Sequence, residues 1–130
     1  MLKRNYLPLL CFLPIWIGAI IALSHFFPDD VMRLTVNCVT IGMAVLSFII
    51  YKTENVYYYN SISFEQAEEA GSDRRRAYAW AHFIRFLILA IALLFLSLVF
   101  SLLGFHQVID FSIGIAAVIA LAISTLWISL

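Results

Sequence analysis

Four apolar runs separated by short polar stretches set the layout of the chain: residues 7–27, 31–51, 80–104 and 108–130. Each is long enough to cross the ~30 Å hydrocarbon core of a bilayer as a helix rising about 1.5 Å per residue. The first run follows Lys3 and Arg4 and contains Pro8 and Pro14. Its basic start, apolar middle and Ala22-x-Ser24 also have the form of a cleaved secretory signal. The run is nonetheless long enough to span, so a retained first helix is expected, kinked where Pro14 removes a backbone hydrogen bond. Pro28-Asp29-Asp30 predicts a tight turn whose aspartates cap the second helix. Phe105-His106-Gln107 predicts a second short turn, between the third and fourth runs.

The second run is the least uniform. Arg33, Asn37, Thr40, Ala44 and Ser47 recur at steps of four, three, four and three, which puts them on one helix face. The one long polar stretch is 52–79. In it, Tyr57, Tyr58 and Tyr59 suit a membrane–water boundary, where an aromatic ring keeps its hydroxyl wet. Ser63-Phe64-Glu65-Gln66 has the form of a capping box and predicts a short helix from Phe64 to Ala70. Gly71 would stop it, and Ser72-Asp73 would open the next helix. The expected fold class is all-α: one membrane domain, 1–130, with four transmembrane helices in two hairpins. A short cytoplasmic helix is expected between the second and third.

Composition supports the bilayer as solvent. The chain of 130 residues is 64% hydrophobic and 12% charged, against about 45–50% and 25% in soluble domains. A domain of this length buries only about two-thirds of the surface its unfolded chain exposes, so lipid must cover the remainder. Net charge is zero, but its sign is unevenly placed. With Met1 inside, Lys3, Arg4, Lys52, Arg74, Arg75, Arg76 and Arg85 share one side, and Arg33 is alone on the other. Short loops rich in Lys and Arg stay cytoplasmic. Both termini and residues 52–79 are therefore expected in the cytoplasm, with the protein in a bacterial inner (plasma) membrane.

Candidate chemistry is sparse. Ser112, Ala116, Ala120 and Ser124 repeat at four-residue spacing on the fourth helix, a pattern that lets backbones approach closely in lipid. It predicts helix packing, within the bundle or between copies. The face of Arg33, Asn37, Thr40 and Ser47 is a possible polar path. The same residues also suit bonds between helices or to their own backbone. Four spans in so short a chain resemble the small multidrug-resistance transporters in size alone, and the first-helix glutamate that family requires is missing.

His25, His106, Asp29, Asp30 and Asp110 share the outer boundary, where histidines are at home in headgroups, and no metal or cofactor is expected from them. Cys11 and Cys38 lie in apolar runs and read as packing residues, not a disulfide framework. No nucleophile–base–orienter trio or glycine-rich phosphate loop is present, so enzymatic activity is not expected.

The polar stretch carries what remains. Its acids Glu65, Glu68, Glu69 and Asp73 precede Arg74, Arg75 and Arg76, an order that permits ion pairs across a helix–turn–helix. The sharper expectation is a partner-binding surface formed by Phe64, Glu65, Glu68, Glu69, Arg74, Arg75 and Arg76. The function this predicts is a non-enzymatic subunit or regulator of a membrane assembly. The alternatives are a homo-oligomeric pore or permeabilising effector and, behind it, a small lipid or solute carrier. Expected partners are membrane lipid and further copies of the chain or another membrane protein, not nucleic acid.

Overall fold

The computed structural model describes residues 1–59 and 61–130. It is all-helical, with no strands among the described residues. The helices are α1 (Leu7–Phe26), α2 (Val31–Thr53), α3 (Phe64–Leu102) and α4 (Gln107–Thr125), with short 3-10 turns at Pro28–Asp30 and Val56–Tyr58. All four helices are long and apolar enough to cross a membrane. Helix α2 is central and touches each of the other three.

Three boundaries differ from expectation. The predicted short helix Phe64–Ala70 is not a separate element; it forms the opening turns of α3, which is 39 residues long. Its start is as predicted, since Ser63 Oγ accepts from the Gln66 amide (3.1 Å) and Gln66 Oε1 accepts from the Ser63 amide (2.9 Å). Gly71 kinks the helix instead of ending it, with φ 79° and ψ 164°, a conformation open to glycine because it has no Cβ. Such a helix is nearly twice as long as the ~30 Å hydrocarbon layer, so its first turns extend beyond the apolar part.

Helix α4, expected to run to residue 130, ends at Thr125. Past it the chain packs Ile128 and Leu130 onto a cluster of Ile50, Val56, Tyr57, Ala67, Tyr78 and Ala79. Leu2 joins the same cluster. Both chain termini therefore sit at one end of the bundle, with Val56, Tyr57 and Ala67.

The cap of α2 is the third difference. Neither Asp29 nor Asp30 caps it by side chain. Gln107 Oε1, from the start of α4, accepts instead from the amides of Met32 (2.9 Å) and Arg33 (3.4 Å). That satisfies N–H groups a helix start leaves unpaired.

Helix α1 is peripheral and has no buried residue. It is fixed by Trp16, whose Nε1 donates to the Cys38 carbonyl at 2.8 Å and whose ring fills the space beside Gly42. The other three helices meet at Gly114. A Cβ there would stand 2.5 Å from Val36 Cγ2 and 3.1 Å from Leu93 Cδ2. Glycine lets α4 approach α2 and α3 at that point, by the close-packing rule that favours small residues in lipid.

Candidate functional site

Two polar constellations lie at opposite ends of the bundle. The first joins α2 to the turn before α4. Helix α3 ends in a Schellman motif: Phe105 N donates to the Phe100 carbonyl (2.9 Å), Gly104 N donates to the Ser101 carbonyl (3.2 Å), and Gly104 has φ 75°. The Phe100 and Phe105 rings meet edge-on at 5.2 Å, the apolar contact that accompanies this turn. The turn presents the Phe105 carbonyl to Arg33 Nη2 at 2.8 Å. Arg33 Nε donates to Asp110 Oδ2 at 2.7 Å, Nη2 reaches Oδ1 at 3.3 Å, and Nη1 reaches Asp30 at 3.2 Å. The Asp110 side chain has no exposed surface.

Below Arg33 the polar face of α2 continues inward. Asn37 Nδ2 donates to the Arg33 carbonyl (2.9 Å) and to Ser97 Oγ of α3 (2.7 Å). Thr40 Oγ1 donates to the Asn37 carbonyl (2.9 Å). Asn37, Thr40, Ala44 and Ser47 are all buried, at 6, 1, 4 and 2% exposure. Asn37 Oδ1 has no partner among the described residues. The four proposed path residues thus lie between helices: two bond across to α3 or α4, and one bonds back to its own helix.

The second constellation closes the end that carries the termini. Helix α2 finishes at Glu54, a left-handed residue with φ 60°, unusual for a side chain with a Cβ. That turn aims its carboxylate at α3. Arg75 Nη2 and Nε donate to Oε2 (2.7 and 3.1 Å), while Arg76 Nε and Ser72 Oγ donate to Oε1 (2.9 and 2.7 Å). Arg75 Nη1 also donates to the Ala67 carbonyl (2.9 Å), in the turn ahead of the Gly71 kink. Glu54 therefore ties the end of α2 to both sides of that kink.

The stretch before α1 is held at the same end by tyrosines. The Tyr57 hydroxyl accepts from the Asn5 amide (2.7 Å), and the Tyr58 hydroxyl donates to the Asn5 carbonyl. Tyr57 is buried, so it is not the wet boundary residue its position in the sequence suggests. Tyr59 stacks on His82 at 4.2 Å, and burial pushes its phenol up to about 12.

The expected partner-binding residues separate into two groups. Arg75 is buried, and Phe64 is half-buried against the Tyr57 ring (5.3 Å) with the Arg4 guanidinium 4.7 Å above it. Glu65, Glu68, Glu69, Arg74 and Arg76 are exposed. Of these, Glu65 pairs with Arg4 at 3.6 Å and Arg76 with Glu54. The acids expected to meet the arginines do not do so among the described residues. Glu54 takes their place.

On α4, Ser112, Ala116 and Ala120 are exposed, and only Ser124 turns inward. The Ser124 carbonyl accepts from Arg85 Nη1 (2.7 Å), a cation satisfying the end of a helix. The inward face of α4 is Asp110, Gly114, Leu121 and Ser124. Among the described residues no three His, Cys, Asp or Glu side chains converge as metal ligands; His106 Nδ1 accepts from the Val108 amide and caps α4.

No family model, curated protein or solved structure matches this chain.

Burial pushes the Glu54 carboxyl up, but hydrogen bonds from Ser72 and Arg75 and the Arg75 charge outweigh it and hold the group below its ordinary range. A carboxyl held low stabilises the fold fully above its unfolded value, about 4.3 for Glu. It loses that contribution as pH falls through the lower folded value. Glu54→Gln should therefore melt earlier than the parent near neutral pH in mild detergent, with the gap closing below about pH 4. An equal gap at every pH would mean that Glu54 ionisation contributes nothing.

Proposed function

We propose that the protein is a non-enzymatic subunit or regulator of a membrane assembly in a bacterial inner (plasma) membrane. Both termini and residues 52–79 face the cytoplasm, and the recognition surface lies on the first turns of α3. One observation carries this reading: the end of the bundle is tied together by the Glu54–Arg75 ion pair, yet Glu68, Glu69 and Arg74 project from it with no ion-pair partner among the described residues. A fixed platform bearing uncommitted charges of both signs suits a protein partner, since charge complementarity sets specificity and association rate. The exposed Ser112, Ala116 and Ala120 stripe supplies a second surface, within the bilayer, for another copy or a partner helix. The pore reading loses support because Asn37, Thr40 and Ser47 are buried between helices.

Orientation follows from seven basic residues against one. In a chain whose Cys11 and Cys38 are replaced by serine, a membrane-impermeant maleimide added to intact cells should label Asp29→Cys and spare Glu69→Cys. The reverse pattern would turn the molecule over and remove the cytoplasmic surface.

The function itself is tested by purification from native membranes in mild detergent. A membrane protein should co-purify in fixed ratio with the parent chain and be lost with Glu68→Lys/Glu69→Lys, whose melting temperature should match the parent because both sites are exposed. Purification as a homo-oligomer alone, with single-channel steps in planar bilayers, would overturn the proposal in favour of a pore.

A further inference from the structure

Helices α2 and α3 do not close against each other along their whole length. Beside their contact runs an apolar groove of about 390 Å³, within the usual range of ligand sites, roughly 300–1,000 Å³. Ala44 and Ala90, small and buried, form its floor. Val45, Phe48, Phe83 and Ile91 are among its walls, and every lining residue is apolar. In the bilayer such a groove suits an alkyl chain.

Toward the end that carries Glu54, the groove residues Phe48 and Phe83 join Trp80 and Tyr51 in a frame of four aromatic rings in mutual contact. Phe48 meets Phe83 at 5.3 Å, Phe83 meets Trp80 at 5.4 Å, Trp80 meets Tyr51 at 5.2 Å, and Tyr51 meets Phe48 at 6.3 Å. Tyr and Trp rings concentrate at headgroup level, which sets the depth of this frame. Just beyond it, Lys52 Nζ lies 5.5 Å from the Phe48 ring centre and 5.8 Å from that of Tyr51. Tyr51, Lys52 and Arg76 line a small recess of about 110 Å³. Lys52 has no carboxylate partner among the described residues. Arg76 spends its Nε on Glu54 but remains 60% exposed.

Apolar groove, aromatic frame and cationic recess therefore follow one another along one seam, in the order of acyl chain, glycerol ester and phosphate in a phospholipid. We propose that this seam binds one anionic phospholipid, its chain in the α2–α3 groove and its phosphate on Lys52 and Arg76. A zwitterionic lipid would fill the groove equally well but would bring its own cation to the recess. The choice of lipid rests on the charge of the site; only its assignment to the cytoplasmic leaflet, where anionic lipids concentrate, rests on the orientation proposed above.

The test titrates the purified full chain in detergent with phosphatidylglycerol, and separately with phosphatidylcholine of the same chains, and counts bound lipid by native mass spectrometry. One phosphatidylglycerol should bind at least tenfold more tightly than phosphatidylcholine. Lys52→Gln breaks no ion pair and should cut phosphatidylglycerol affinity about fivefold, the worth of one basic residue at an anionic surface, while leaving phosphatidylcholine unchanged. Val45→Trp or Ile91→Trp, both at exposed groove positions, should weaken both lipids by filling the groove. Equal binding of the two lipids by the parent would overturn the proposal. So would a phosphatidylglycerol preference untouched by both tryptophans, or a dimer that either tryptophan dissolves in the absence of any lipid preference.

Discussion

Asp110 has no accessible surface, and a carboxylate so placed in a bundle bounded by lipid must be carried by a partner inside the protein. Arg33 is that partner, and most of one end of the molecule is arranged around it. Its guanidinium takes both Asp110 oxygens, an Asp30 oxygen and the Phe105 carbonyl, so it joins α2 to α4 and to the turn between α3 and α4. The register this imposes brings Gln107 onto the open amides of α2 and Gly114 into the three-helix contact with Val36 and Leu93. Four residues along α2 from Arg33, Asn37 reaches Ser97 and adds α3 to the same assembly. Buried ion pairs are weak evidence for stability when weighed against apolar replacements. Their stronger attested role is to fix one arrangement among several, and in lipid, where apolar packing alone discriminates poorly, that role matters more.

The opposite end repeats the solution with different parts. Glu54 accepts from Arg75, Arg76 and Ser72, and Arg75 continues to Ala67. An arginine again spans two segments, here the end of α2 and the kinked start of α3. Arg85 does the same between α3 and the end of α4. Arg33, Arg75, Arg76 and Arg85 are thus occupied in joining helices, while Glu68, Glu69 and Arg74 stay exposed on the first turns of α3. Arg33, Asn37 and Thr40, the groups that would have to face water in a path, are engaged in bonds within and between helices.

The sequence made the solvent and the helix count legible because apolar run length is a strong, local signal. The capping box at Ser63 and Gln66 was legible for the same reason. What it hid was any pairing between distant residues. Glu54 sits among loop residues and shows nothing of its clamp, since its partners lie 18 to 22 positions away and its aim depends on a left-handed turn. Gln107 reads as a turn residue until α2 is placed 75 positions away in sequence. The four-residue spacing on α4 marked a real stripe of small residues but could not say which way it faces. The small residue that α4 buries fully is Gly114, two positions off that stripe. Gly71 reads as a helix stop, yet α3 resumes beyond it, with Arg75 bracing the kink through Glu54 and Ala67.

On the proposed reading, the polar residues of α2 hold the bundle together instead of lining a water-filled path. A double-mutant cycle on Arg33 and Asp110 separates the two, with Arg33→Leu, Asp110→Leu and the double change unfolded reversibly in lipid–detergent bicelles. Removing one partner of a buried pair strands the other charge, so each single change should cost about 3–5 kcal/mol. The double change should cost less than either single one, because it leaves no uncompensated charge. If water reached the pair, each group would remain solvated alone. The single changes would then cost under about 1 kcal/mol each and add without coupling, as exposed pairs do, and the polar face of α2 would be a solvated path instead of a joint between helices.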